Sequence, residues 1–421
     1  MQARVVETRS RTVAGAASGP ARLSLFYGAL FLVTGVQLPF WPVWLSGRGL
    51  DAREIAVVFT AAIWAKVLAT PLCGVLADRI GRRRIVMAAL AGAACVAYAA
   101  LWRAAGFWVL LSLNLAAGAA QSALMPLGDS VALAAVRERG LDYGRIRVWG
   151  SVSFIMASLG SGAALAGGAG ALPGNTVLLL VLAASTLLFA ACLALPAPPT
   201  MRAHRIGLAR APGMRLVLGD RRFWLFVASA SGLQASHQLY YGFGTLYWRT
   251  LGFSDLVIGG LWAEGVVAEI VLFWHGERLL ARFGPVGLMA LGGGAGLLRW
   301  SLTGIVPGLP AAIALQLLHA GTFGASHLGA MHFMARTVPP QAAASAQSVY
   351  AALSSGLGSG IVMLIAGALY AAYAGGAYIL MALLSGAGLL GAMLLARSGS
   401  SPAQQAALAG GNAGPDRKAQ H

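Results

Sequence analysis

The sequence predicts an all-α polytopic membrane protein, with twelve transmembrane helices in two pseudo-symmetric six-helix bundles. Three observations carry this prediction. Of the 421 residues, 58% are hydrophobic and only 10% are charged, against about 25% charge in a typical soluble domain. The apolar residues fall into twelve runs, each near the roughly 20 residues that cross a bilayer as a helix. Finally, the two halves of the chain correspond at a shift of 203 positions.

Residues 1–21 are polar and Arg-bearing, with no apolar core of a cleavable signal, and are expected to form a cytoplasmic tail. The first bundle is expected over 22–196, with runs at 22–46, 55–76, 85–102, 107–134, 145–168 and 175–196. Pro196, Pro198 and Pro199 then stop the sixth run, and an arginine-rich segment makes 197–222 a central cytoplasmic loop. The second bundle is expected over 223–396, with runs at 223–248, 257–275, 286–305, 309–335, 342–369 and 375–396. The Ser-, Gly-, Gln- and Ala-rich segment 397–421 reads as a disordered cytoplasmic tail.

The net charge of +17 could suggest a nucleic-acid partner, but its distribution points to a membrane. With the N-terminus inside, 24 of the 30 Lys and Arg residues fall on inside segments and 4 on outside loops. This positive-inside pattern places both termini in the cytoplasm of a multi-pass plasma-membrane protein, the inner membrane in a Gram-negative cell. The lipid bilayer is thus the expected partner of the positive charge, and nucleic acid is not expected. Cys73, Cys95 and Cys192 are odd in number and lie in or beside spans, as apolar packing residues. No phosphate-cradling loop, zinc spacing, nucleophile or paired-acid motif accompanies the spans, so neither a cofactor nor an enzyme is expected.

The 203-residue shift aligns Gly49 to Ile55 with Gly252 to Ile258, and Arg79-Ile80-Gly81 with Arg282-Phe283-Gly284. It also relates Lys66 to Glu269, and replaces Asp78 by Ala281. Ionisable groups in spans are costly and mark pathways or partners. Here they are Lys66, Asp129, Arg147, His237, Glu264, Glu269, Arg299, His319, His327 and His332. Histidine changes charge most easily near neutral pH, which suits a proton relay. Aromatic residues, Tyr240 and Tyr241 among them, crowd the equivalent ends of spans one and seven, as interfacial belts do.

The segment from Gly74 to Arg84 lies between two membrane runs and carries Asp78 and four arginines, so it reads as a tight charged loop at the surface. It resembles the signature loop of the major facilitator superfamily, through Gly74, Leu76, Ala77, Asp78, Arg79, Gly81, Arg82 and Arg83. That resemblance implies parallel six-helix repeats that rock around a substrate near the midplane. It also implies a gating role for Gly74, Asp78, Arg79, Gly81 and Arg82. Asp129 and Arg147 are similar in placement to the fourth-helix acid and fifth-helix arginine of lactose permease and its relatives, which pair and hold substrate. Arg299 and His319 match the spacing of the proton-coupling cluster of the same symporters. Thr322 replaces its acid, Gln316 its lysine, and His237 the acid of the seventh helix, so Glu269 and Glu264 are the candidate substitutes.

Several segments resemble the phenylpropionate permease branch more specifically, among them Leu38 to Leu45, Asp142 to Val152, Tyr240 to Phe243, Gly265 to Glu269 and Gln316 to Phe323. The resemblance implies proton-linked uptake of a small aromatic carboxylate such as 3-phenylpropionate. Substrate contacts are then expected from Asp129, Arg147, Lys66, Tyr240 and Tyr241, and proton coupling from Glu269, His319, Arg299, His237 and Glu264. A sugar or nucleoside fits the same aromatic and cationic residues, and the same scaffold serves export.

Overall fold

The computed structural model describes residues 2–167, 174–195 and 214–398. Most of the expected central loop 197–222 and nearly all of the C-terminal tail 397–421 lie outside the described residues. No strand occurs among those described. The first six spans are α1 (Gln2–Gly47), α2 (Ala52–Ile80), α3 (Arg83–Ala100), the pair α4 (Phe107–Ser122) and α5 (Leu124–Arg139), α6 (Tyr143–Ala166) and α7 (Thr176–Ala194). A short α8 (Met214–Gly219) precedes the second six. These are the pair α9 (Arg221–Ala235) and α10 (Gln238–Thr250), then α11 (Asp255–Trp274), α12 (Gly276–Thr303), α13 (Leu309–Leu317) with α14 (Ser326–Thr337), α15 (Ala343–Ala351) with α16 (Ser359–Tyr373), and α17 (Tyr378–Arg397). Among the described residues, eight helical stretches are long and apolar enough to cross a membrane, and the last, 343–397, covers the expected eleventh and twelfth spans. The seventh, ninth and tenth spans fall outside that set; they are broken or carry charge.

The breaks have local causes. Pro126 has no N–H to offer the Ser122 carbonyl, and the fourth span divides there, between α4 and α5. In the seventh span the Ser236 hydroxyl donates to the Leu233 carbonyl at 2.7 Å, and His237 Nδ1 lies 3.1 Å from the same oxygen. Two side chains thus take the acceptor that would continue the helix, and the span divides into α9 and α10. In the tenth and eleventh spans π-helical segments, Ala320–Ala325 and Ala352–Gly358, interrupt the α-helix.

By Cα packing the chain forms two units: Met1–His204 with Tyr241–Ala263, and Arg205–Tyr240 with Glu264–His421. In the first unit α1 packs on α6 and α7, and α3 on α7 and α4. In the second, α9 packs on α16 and α17, and α12 on α17 and α14. Spans one, three, four, five and six thus pair as spans seven, nine, ten, eleven and twelve do. The backbone repeats as well. Gly81 has φ +67° and its counterpart Gly284 +66°, while Gly49 has φ +89° and Gly252 +81°. These are left-handed conformations that glycine adopts without a Cβ penalty. The expected charged loop is shorter than the sequence suggests. Gly74, Asp78 and Arg79 belong to the last turns of α2, whose left-handed cap is Gly81. Only Gly81 and Arg82 separate α2 from α3.

Within the first unit the start of α11 meets α6 through backbone alone. A Cβ on Gly162 would lie 2.3 Å from the Asp255 carbonyl oxygen, and one on Gly259 would lie 2.3 Å from that of Ser158. Paired small residues permit such approach between membrane helices.

Candidate functional site

The ionisable residues expected to act together are brought together in the second unit. Arg299 on α12 is fully buried. Its Nη2 donates to Gln316 Oε1 at 2.5 Å, and its Nη1 to His319 Nδ1 at 2.9 Å and Thr322 Oγ1 at 3.1 Å. Gln316 Nε2 in turn donates to the Tyr240 hydroxyl at 2.6 Å. The guanidinium lies over the rings of Trp300 and Tyr240, 4.3 and 4.9 Å from their centroids. A buried cation needs such a shell, and here it is built from neutral groups on three spans.

The hydrogen bonds assign the histidine tautomers. An arginine N–H can only donate, so His319 Nδ1 accepts and the ring proton sits on Nε2. That nitrogen is 2.7 Å from Glu269 Oε1 on α11, so a neutral His319 donates to the Glu269 carboxylate. The Leu233 carbonyl can only accept, so His237 Nδ1 carries its proton. His237 Nε2 then faces Thr322 Oγ1 at 3.1 Å. The Thr322 hydroxyl can donate to that nitrogen, or turn to the His319 carbonyl at 3.3 Å and accept from a protonated His237. Glu264, the residue before Gly265 on α11, is half-buried and joins no hydrogen bond or ion pair among the described residues. Gly265 itself makes room for the cluster, since a Cβ there would stand 3.2 Å from Gln316 and His319.

In the first unit Asp129 on α5 accepts from the Tyr27 hydroxyl at 2.5 Å and the Tyr143 hydroxyl at 2.9 Å. Arg147 lies over Phe31 and Tyr27, 4.2 and 5.3 Å from the ring centroids, an attractive cation–π arrangement. Gly150, one turn on, leaves the space: a Cβ there would be 2.8 Å from Arg147 Nη1. The expected Asp129–Arg147 ion pair is absent among the described residues; both residues contact Tyr27 instead. Lys66 on α2 is exposed and has no ion-pair partner among them. It sits between Ala62, which packs by Gly118, and Thr70, which donates to Ser122 at 3.2 Å. Lys66 and Glu269 belong to different units.

Of the two tyrosines expected to face substrate, Tyr240 is buried in the Arg299 cluster and Tyr241 stacks on Trp262 at 6.3 Å. At the segment expected to gate, Asp78 accepts from Arg83 Nη2 at 2.7 Å, and Arg83 Nη1 reaches the Ser130 hydroxyl on α5 at 3.0 Å. Arg79 and Arg82 form no such bridge among the described residues. Sequence reasoning missed Arg83, Tyr27, Tyr143 and Phe31. Arg83 and Tyr143 stand in quoted motifs, whereas nothing in the pattern singles out Tyr27 or Phe31. The described residues hold no group of three or more His, Cys, Asp or Glu able to bind a metal.

The comparisons with known proteins agree with the fold. The chain is 31% identical over 366 residues to a probable 3-phenylpropionic acid transporter of Escherichia coli (strain K12), covering 86% of this chain and 94% of that protein. It is 28% identical to the maltose permease of Geobacillus stearothermophilus, over 91% and 96% of the two chains. The crystal structure of the nucleoside transporter NupG shares the fold, with a TM-score of 0.78 at 18% identity over 90% and 99% of the chains. These relatives are transporters and not enzymes. The model of the family described as "MFS_1 like family" matches residues 21–380, and the chain therefore belongs to that family of major facilitator membrane transporters.

Proposed function

We propose that this protein is a secondary active importer of a small aromatic carboxylate such as 3-phenylpropionate, driven by a proton gradient. The observation that carries the coupling is the Glu269–His319 contact of 2.7 Å beside the buried Arg299. A carboxylate that accepts from a neutral imidazole can take up and release one proton without breaking the arginine's shell. Glu269, His319 and Arg299 are its core, His237 joins through Thr322, and Glu264 is the outlying acid.

For the substrate, Arg147 offers a guanidinium fork resting on aromatic rings, a match for a carboxylate attached to a phenyl group. Lys66 supplies a second cation, Tyr241 an aromatic face, and Asp129 orients the tyrosines beside Arg147. Tyr240 acts through Gln316. The name of the 31%-identical relative supports this substrate class. A sugar or nucleoside is the alternative cargo: Asp129 already accepts from two hydroxyls, and can do the same for a polyol. The halves 22–196 and 223–396 are the proposed moving bodies, with Asp78, Arg79, Gly81 and Arg82, and Gly74 one turn before them, at their gate. Both termini are proposed to be cytoplasmic. The test is uptake into proteoliposomes loaded with a pH dye, across aromatic acids, nucleosides and oligosaccharides. Substrate-driven proton movement with 3-phenylpropionate supports the reading; uptake of it with no proton movement, or uptake of other classes alone, overturns it.

A further inference from the structure

The junction between the eighth and ninth spans carries charge that the transport reading leaves unused. The eighth span, α11, ends at Trp274. Residues 276–283 then make two helical turns, which Gly284 ends at φ 66° and ψ 172°. That conformation is essentially confined to glycine, so the two turns stop at a fixed point and Pro285 follows into the ninth span. Trp274 is 85% exposed, the highest value of any large apolar residue among those described. Arg278 and Arg282 are exposed and join no ion pair or hydrogen bond among the described residues. Four positions apart, they share one face of the two turns. The Arg282 guanidinium lies 5.5 Å from the centroid of the Phe283 ring, itself exposed. Glu277 is exposed too, on the face of Ala281, and bridges neither arginine among the described residues.

The internal repeat separates this chemistry from the backbone that carries it. At the shift of 203, Gly284 matches Gly81, and both hold the same left-handed φ. The side chains around them differ. Ala281 stands in the place of Asp78, Val286 in that of Arg83, Arg278 in that of Val75 and Trp274 in that of Pro71, while Arg282 keeps the place of Arg79. The first junction closes its charge on itself, through the Asp78–Arg83 bridge of 2.7 Å. The second has lost both partners of that bridge and gained a cation and an indole, all of it exposed. A tryptophan at a span end sits at headgroup level, and guanidinium forks match the oxygens of a phosphate.

We propose that this junction binds the headgroup of an anionic phospholipid. Arg278 and Arg282 hold the phosphate, the Phe283 ring supports the Arg282 guanidinium, and Trp274 lies beside the glycerol backbone with its indole between headgroup and acyl chain. The charge complementarity is with a net-negative lipid: two cations without an internal acid leave a zwitterionic headgroup half matched, because its ammonium meets the arginines with like charge. The first junction, whose acid is already bridged to Arg83, lacks the indole and is not part of the assignment.

The experiment titrates the purified, delipidated full chain in neutral detergent with phosphatidylglycerol, or with phosphatidylcholine of the same acyl chains, and counts bound lipid by native mass spectrometry. A cation at a membrane surface contributes about fivefold to anionic-lipid binding, so Arg278→Gln with Arg282→Gln should lose at least about tenfold of the wild-type preference for phosphatidylglycerol. Trp274→Ala should weaken binding of both lipids and leave the preference. Arg137→Gln with Arg145→Gln removes the same charge from exposed arginines of the first unit and should leave binding unchanged. Inorganic phosphate at matched ionic strength should not displace the lipid. Equal binding of the two lipids by wild type overturns the assignment, and so does an equal loss in the Arg137 and Arg145 variant, which would make the effect a general field. Displacement by inorganic phosphate would make this a free-anion site and overturns it as well. The changed side chains are exposed, so all variants should melt as wild type does; if the Arg278 and Arg282 variant does not fold, Trp274→Ala and the phosphate competition decide.

Discussion

Asp129 and Arg147 stand on consecutive spans and contact the same tyrosine without contacting each other. Tyr27 donates its hydroxyl to Asp129 at 2.5 Å and offers its ring to Arg147 at 5.3 Å. The acid is thereby satisfied by hydroxyls, and the guanidinium is held by aromatic faces. An anionic substrate can engage Arg147 without first displacing a carboxylate. If the substrate is the proposed aromatic acid, Arg147→Ala should weaken its binding by more than about tenfold, since truncating one partner of a desolvated charge pair typically costs about 2–5 kcal/mol. Equilibrium binding to purified protein measures this. An unchanged dissociation constant would make Arg147 a structural residue.

Replacing Glu269 by Gln should abolish uphill uptake and leave counterflow exchange. The amide keeps an oxygen that can accept from His319 Nε2, so the Arg299 shell persists without a group that titrates. His319→Ala should show a weaker form of the same split. Loss of both binding and exchange in Glu269→Gln would instead make Glu269 a substrate ligand.

The Asp78–Arg83 bridge should matter for transport more than for folding. Its side chains are 34% and 18% exposed, and half-exposed ion pairs contribute at most about 1 kcal/mol. Asp78→Asn and Arg83→Ala should fold and bind substrate normally but transport slowly, with Arg82→Ala impaired in the same sense. Thermal stability and binding, measured beside initial uptake rates, separate the effects. A large loss of binding in folded variants would give the segment another role.

Tyr240→Phe should destabilise the second unit. It leaves Gln316 Nε2–H without its acceptor, and an unsatisfied buried donor costs about 1–3 kcal/mol. The change reads out as a lowered apparent melting temperature in detergent. An unaltered melting temperature would mean that the amide finds another acceptor.

Gly162→Leu and Gly259→Leu should each force α6 and the start of α11 apart, because a Cβ at either position would already lie 2.3 Å from a carbonyl oxygen. Increased alkylation of a cysteine introduced at Ser158 would report the separation. Unchanged labelling would mean that the helices accommodate the side chain elsewhere.

Much of this architecture is legible in the sequence because its causes are local. Twelve apolar runs need no tertiary information, and the shift of 203 residues that pairs Gly81 with Gly284 reappears as matching φ angles. The resemblance to sugar symporters also anticipates the Arg299–His319 contact, although His319 stands at the break between α13 and the π-helical segment. Other features depend on packing across elements and leave no pattern. The division of the seventh span rests on two side chains competing for the Leu233 carbonyl. The charged segment after Gly74 reads as a loop from its composition, yet the α2 helix runs on to Ile80 before glycine ends it. Arg83 is one of several consecutive arginines, and only the fold shows which of them reaches both Asp78 and Ser130.

The bond between His237 and the Leu233 carbonyl separates two duties on opposite edges of one ring. The Nδ1 edge anchors the break in the seventh span, and it carries a proton whether the imidazole is neutral or charged. The Nε2 edge meets the Thr322 hydroxyl, which reverses its donor role by rotation alone. Charge can therefore arrive at and leave this ring without remodelling the backbone it fastens. The bend in the span is a fixed hinge pin, and the electrical state of the residue that holds it is a separate variable.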